Sequence, residues 1–158
     1  MKLTIERSAL LCALGHVQNV VERRNTIPIL SNVQLIADEA GLSLTATDLD
    51  LAIVETVPCE VQTPGGTTAP AHILHDIVRK LPDGAQVELD YGAEDGRLVV
   101  RAARSKFALS CLPREDFPVM ADGDLPHQFV LPTPDLRRLI EKTRFAISTE
   151  ETRYYLNG

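Results

Sequence analysis

The chain has 158 residues, 44% hydrophobic and 24% charged, with a formal net charge of −6. That length holds one domain or a little more with a proper core, and the acidic balance argues against a tight nonspecific grip on nucleic acid or an anionic membrane. No apolar run is long enough to span a bilayer and the N-terminus has no signal-peptide profile, so a soluble, cytoplasmic protein is expected.

In chain order, Leu3 and Ile5 alternate with polar neighbours over Met1–Glu6, the period of a half-buried strand. A helix is predicted from about Arg7 to Val20, with Leu10, Leu14 and Val17 facing the core. A loop follows to Pro28, which forces its predecessor into extended geometry. Ile29–Ala37 and Leu42–Ala46 read as a hairpin about Asp38–Gly41, and Leu51–Val61 as a third strand ended by Pro64, Gly65 and Gly66. Thr67–Ala69 is a short strand leading into a second helix within Pro70–Leu81, stopped by Pro82 and Gly84. Val87–Tyr91, Arg97–Ala102 and Ser105–Cys111 complete a second set of three strands. Leu112–His127 carries Pro113, Pro118, Gly123 and Pro126 without core periodicity and reads as a linker, its centre at residues 121–127. A strand over Gln128–Leu131 and a third helix follow, with Thr133 as N-cap and Pro134 in the first turn.

These elements repeat. Leu10, Ala13 and Leu14 recur 63 positions later as Ile73, Asp76 and Ile77, and 63 later again as Leu136, Leu139 and Ile140. A strand–helix–three-strand block therefore occurs twice by Cys111 and begins a third time. The expected fold class is α+β, with two helices side by side on antiparallel sheet. Residues 1–120 form a first domain, and 128–158 hold the start of a second that stops before its remaining strands, as in a fragment of a longer protein.

Charge is segregated along the chain. No Lys or Arg lies between Arg24 and Arg79, where Asp38, Glu39, Asp48, Asp50, Glu55, Glu60 and Asp76 fall. Basic residues gather near the helices: Arg23 and Arg24, Arg79 and Lys80, then Arg137, Arg138, Lys142 and Arg144. Solvated helix faces alone give such a pattern.

Catalytic and metal constellations are weak. His72 and His75 are three apart on a helix with no further ligand placed near them. Asp48 and Asp50 sit at a strand junction, where Asp usually caps or turns. There is no phosphate-cradling Gly-rich loop and no nucleophile elbow. Cys12, Cys59 and Cys111 lack paired spacing and lie in apolar surroundings, the pattern of buried reduced thiols. The segment from Thr149 stands apart: Arg153, Tyr154 and Tyr155 put a guanidinium beside two phenols, groups suited to phosphate and base contact.

Six runs, in order along the whole chain, resemble the bacterial sliding clamp family, the beta subunit of DNA polymerase III. They are Met1–Arg7 (MKLTIER), Ile27–Asn32 (IPILSN), Ala46–Asp50 (ATDLD), Leu112–Pro118 (LPREDFP), Phe145–Thr152 (FAISTEET) and Arg153–Gly158 (RYYLNG). The resemblance implies the DNA clamp fold and a ring of two subunits, each with three similar domains, whose helices surround duplex DNA. It implies a non-catalytic accessory subunit of a DNA-directed DNA polymerase (nucleotidyltransferase) holoenzyme, a processivity factor that uses no cofactor or metal. Implied partners are double-stranded DNA, the polymerase III catalytic subunit, the clamp loader, other clamp-binding replication and repair proteins, and a second copy of the full-length subunit. Carried over by position, Arg24, Tyr154 and Tyr155 contact DNA, Phe107 and Leu109 meet the neighbouring subunit, and Arg153 and Leu156 edge a partner-peptide cleft. Three positions depart from the family pattern. Glu150 stands where a Gln often contacts DNA, and His72 and Ile73 stand where relatives carry basic residues. The alternative from another class is a protein-interaction scaffold that uses the same repeated fold without DNA.

Overall fold

The computed structural model describes residues 1–21, 26–118, 127, 129–148 and 155–156. The chain divides into two compact units, Met1–Met120 and Ala121–Gly158.

In the first unit, strand β1 (Lys2–Glu6) runs directly into helix α1 (Arg7–Val17). The Glu6 carboxylate accepts from Ser8 N at 2.9 Å and Ala9 N at 3.1 Å, capping two of the helix's orphan donors. Its bonds to Ser8 hold its pKa below the usual carboxylate value. Pro28–Ser31 forms a 3-10 turn, so strand β2 begins only at Asn32 (Asn32–Asp38) and not at Ile29. Pro28 sets the turn, and Ile29 and Leu30 are buried against Phe117 in a small second core.

β2 and β3 (Gly41–Thr47) form the expected hairpin, Asp38 opposite Gly41. Gly41 has φ +127°, and a Cβ there would stand 2.3 Å from the Val57 carbonyl oxygen, so this turn accepts only glycine. The predicted third strand is in fact two: β4 (Ala52–Val57) and β5 (Glu60–Thr63). Pro58, which has no donor for a ladder, separates them, and they join different sheets.

β6 (Gly65–Pro70) then leads into α2 (Ala71–Lys80), followed by the meander β7 (Gln86–Gly92), β8 (Arg97–Ala102) and β9 (Ser105–Ser110). Two antiparallel sheets result, not a single one. One has the order β5-β1-β7-β8-β9 and the other β4-β3-β2-β6. Each helix's leading strand thus pairs with the meander of the other half, β1 with β7 and β6 with β2.

The helices pack against each other, and the exchange continues at their ends. Arg7, at the start of α1, donates to the α2 carbonyls of Val78 (3.1 Å) and Arg79 (2.8 Å) and pairs with Asp83 at 2.6 Å. His72, at the start of α2, donates from Nε2 to the Val21 carbonyl beyond α1 at 2.9 Å. Each helix start therefore satisfies carbonyls left open at the other's end.

The buried face of α1 is Leu10, Ala13, Leu14 and Val17. On α2 the matching face is Leu74, Ile77, Val78 and Leu81, a spacing of 64 residues and not 63. Ile73 is consequently 54% exposed, Leu74 is fully buried, and Ile77 is half-buried against the core. The one-residue difference turns α2 by about 100° from the expected register.

The predicted linker is partly structured. Leu112 exchanges hydrogen bonds with the Thr68 hydroxyl, at 2.8 Å and 3.2 Å, and Phe117 is buried.

In the second unit α3 (Thr133–Thr143) begins at Thr133, with Pro134 in its first turn and Pro132 at the N-cap position. Phe129, Val130 and Leu131 form no strand; they are exposed, with no paired neighbour among the described residues. Leu136, Leu139 and Ile140 make an apolar stripe that is about half exposed.

Truncating Leu14 or Leu74 to Ala is expected to cost about 2–5 kcal/mol in denaturant unfolding, whereas Ile73→Ala should stay within about 0.5 kcal/mol. A large loss at Ile73 would contradict the 64-residue register. Glu6→Gln should lower the melting temperature at neutral pH. Because the folded Glu6 pKa is depressed, its contribution is present above the ordinary value of 4.5 and fades as pH falls through the folded one. The difference between wild type and Glu6→Gln should therefore shrink in acid.

Candidate functional site

The sequence-predicted residues lie on different parts of the chain. Arg24 falls between α1 and the Pro28 turn, and Arg153 and Tyr154 fall after α3; all three, with Glu150, are outside the described residues. Tyr155 and Leu156 occupy a short 3-10 turn, 68% and 47% exposed. The Leu156 carbonyl accepts from Ser148 N at 3.0 Å, which folds this segment back toward the end of α3.

Phe107 and Leu109 are on β9, the edge strand of the five-stranded sheet, where alternation puts them on one face. Their environments differ. Phe107 is 38% exposed, whereas Leu109 is 8% exposed and packed into the core opposite Leu98. Of the two residues that the resemblance assigns to the subunit contact, Phe107 alone is therefore open. Leu109 lies one step further under the sheet, where β6 and the core cover it.

Phe107 does not stand by itself. With Ile73, Ile77, Leu81, Pro82 and Lys80 it lines an open groove of about 350 Å³ between α2 and the β9 edge. The 63-residue register aligns Ile73 and Ile77 with the buried Leu10 and Leu14, which hides their part in this surface. An apolar residue on the helix shoulder and another on the strand edge give no common sequence period. β9 also leaves one row of backbone N–H and C=O groups without a strand partner within this sheet, so a strand could add there.

Three of the basic residues on the helices have local partners. Arg7 closes the α2 terminus, Arg79 pairs with Asp76 at 3.0 Å, and Arg137 pairs with Glu141 at 2.8 Å within α3. Arg101 is held by Glu88 and Asp90 on the β7–β8 ladder. Such exposed pairs are worth about 1 kcal/mol or less each and open readily for a phosphate.

His72 is accounted for by its bond to Val21, which leaves Nδ1 buried without a partner, and His75 accepts from the Gln18 amide at 3.2 Å. Burial pushes the His75 pKa down. The two do not converge on an ion. Asp48 accepts from Asp50 N and Leu51 N and so serves as a turn cap, with Leu49 at φ 84°. Among the described residues, metal-ligating side chains come together only at Cys12, His16 and Glu55. Contrary to the expectation of buried thiols, Cys12 is exposed and Cys59 and Cys111 are half-buried; all three are free. No helix among the described residues is long and apolar enough to cross a membrane.

Residues 1–121 match the family model for the DNA polymerase III beta subunit, N-terminal domain. The chain is 61% identical over its whole length to the beta sliding clamp of Caulobacter vibrioides and 43% identical to that of Escherichia coli K12. It spans 42% and 43% of those two proteins, about two-fifths of their length. A solved structure of Caulobacter crescentus pol III beta covers the whole chain with a TM-score of 0.94, again over 43% of that chain. A sliding clamp from Bartonella birtlesii bound to griselimycin, 46% identical, covers it with a TM-score of 0.93. The chain therefore belongs to the family of the DNA polymerase III beta subunit, N-terminal domain.

Proposed function

We propose that this chain is the leading part of a DNA sliding clamp, a processivity factor that encircles duplex DNA as a ring-shaped dimer and tethers the replicative polymerase. The observation that carries the reading is the likeness of the whole chain, end to end, to beta sliding clamps. In this reading residues 1–120 are the first clamp domain, 121–127 a linker and 128–158 the beginning of the second. The protein works in the cytoplasm as a non-catalytic accessory subunit of a DNA-directed DNA polymerase holoenzyme. Its partners are duplex DNA, the polymerase III catalytic subunit, the clamp loader and other clamp-binding replication and repair proteins.

Physical chemistry supports it. A ring holds DNA by topology, so it needs only weak, sequence-blind phosphate contacts, and strong ones would stop it sliding. An acidic chain in which Arg79 and Arg137 already share their charge with a neighbouring carboxylate suits that requirement. Arg24, Tyr154 and Tyr155 are the proposed DNA contacts, and the exposure of Tyr155 suits that role. Arg153 and Leu156 border the proposed partner-peptide cleft, Leu156 being half exposed. For the subunit contact, Phe107 supplies the anchor with Ile73 and Ile77 beside it, and Leu109 supports it from beneath.

The polypeptide containing this chain should stay on circular duplex DNA and slide off linear DNA. Equal loss from both would favour the scaffold alternative. Arg24→Ala should weaken DNA binding uniformly across sequences and reduce the slope of log affinity against log salt by about one, with an unchanged melting curve. An unaltered slope would remove Arg24 from the contact set. Phe107→Asp should convert dimer to monomer in sedimentation while the fold survives, because the side chain is already partly open. Leu109→Asp would instead report damage to the core. A dimer that persists with Phe107→Asp would count against the β9 edge.

A further inference from the structure

We propose that Cys12 and His16 form a binding site for a thiophilic divalent cation of the Zn²⁺ class, with Glu55 orienting the imidazole. Cys12 and His16 are four apart on α1, so their side chains share one face. Cys12 Sγ lies 3.9 Å from His16 Nε2. A tetrahedral zinc ion with bonds of about 2.3 Å to sulfur and about 2.0 Å to nitrogen spaces those ligands roughly 3.6 Å apart. The pair therefore closes on an ion with a shift of a few tenths of an ångström.

The other imidazole nitrogen is already committed. His16 Nδ1 stands 2.6 Å from Glu55 Oε2 on β4. With Nδ1–H donating to that carboxylate, the lone pair on Nε2 points toward Cys12, which is the carboxylate–histidine–metal arrangement of many zinc sites. Ligand atoms of all three residues lie within 4.8 Å of one another. Cys12 and His16 are exposed, so an ion reaches them without opening the fold, and water completes the coordination. The donor set selects the ion class. Thiolate and imidazole suit Zn²⁺, whereas Mg²⁺ and Ca²⁺ take oxygen ligands and find only the one carboxylate here. On binding, the Cys12 thiol proton leaves to solvent and the sulfur–metal bond replaces the S–H bond. The ion fixes His16 of α1 on Glu55 of β4, and so clamps helix to sheet edge.

The test is calorimetric titration of the chain with Zn²⁺ and, in parallel, absorbance with Co²⁺ as a visible substitute. One saturable equivalent is expected below about 100 µM free ion, with a thiolate-to-cobalt charge-transfer band. C12S should abolish the band, and C12S and H16Q should each weaken Zn²⁺ binding at least tenfold. E55Q should weaken it by about 10–100-fold while keeping the band. Burial pushes the Cys59 and Cys111 thiols up, and C59S/C111S should leave the titration unchanged. Zn²⁺ should raise the melting temperature of the wild type and not that of C12S. No saturable equivalent in that range, or a cobalt band that survives C12S and disappears with C59S/C111S, would overturn the site.

Discussion

The exchange of leading strands is the constraint on which the first unit depends. β1 pairs with β7 along its whole length, Lys2 opposite Asp90 through Glu6 opposite Gln86. β6 pairs with β2 from Asn32–Pro70 to Ala37–Gly65. Neither half can finish its sheet alone, because the strand that would complete it belongs to the helix of the other half. The free N-terminus takes part: the Met1 ammonium donates to the Tyr91 carbonyl at 3.1 Å, and Tyr91 N donates back to the Met1 carbonyl at 2.8 Å. Arg7 and His72 then carry the exchange from strands to helix ends. Backbone pairing so far apart in sequence is paid for in loop-closure entropy, and the reward comes only when both halves are present.

That arrangement also decides where the sheet edges lie. The ladder runs β5-β1-β7-β8-β9 in one sheet and β4-β3-β2-β6 in the other, so the meanders end on outer strands β9 and β4, with β5 and β6 at the opposite edges. Natural proteins blunt such edges with charge and short strands. β4 carries Glu55 and β9 carries Lys106, yet each also shows an exposed apolar side chain, Val54 at 63% and Phe107 at 38%. An edge with both a donor–acceptor row and an apolar anchor is suited to pairing with a strand of another domain. This gives the proposed ring a physical route to closure, one sheet edge meeting the next. The contact proposed at the β9 edge also draws on α2, whose Ile73 and Ile77 line the groove beside Phe107.

Much of this was legible in the sequence, and the failures have local causes. The strand–helix order, the three strands of the second block, the helix limits near Arg7 and Lys80, and the Asp38–Gly41 turn follow from periodicity and turn chemistry. The register of α2 did not. Ile73 and Leu74 are both apolar, and a helix's buried face is settled by what it packs against, here α1 and β6, not by hydrophobicity alone. Leu51–Val61 looks continuous because apolar alternation survives Pro58, although the missing donor ends the ladder there. Phe117 sits in a Pro-rich stretch without period, so its burial depends on Ile29 and Leu30, which are nearly ninety residues away. In the candidate sites, Phe107 was readable from the family resemblance, whereas its groove partners and the Cys12–His16–Glu55 group required knowing which strand lies beside which helix.

The charge distribution decides between grip and passage. A clamp that bound phosphate with every helix cation would gain a steep salt dependence and lose mobility, since each neutralised phosphate adds close to one unit of slope. In this chain three cations at or near the helix ends are moderated by local partners. Arg7 is consumed by the α2 terminus, Arg79 shares its charge with Asp76, and Arg137 shares with Glu141. His72, at the start of α2, is turned to the Val21 carbonyl. Local pairing lowers the field along the helices without removing it, since exposed pairs of this kind are held by about 1 kcal/mol or less and exchange readily. The net charge of −6 then keeps the surface as a whole from holding a polyanion. Under the proposed function, retention on DNA would therefore come from closure of a ring, with affinity needed only to keep the duplex near the helices.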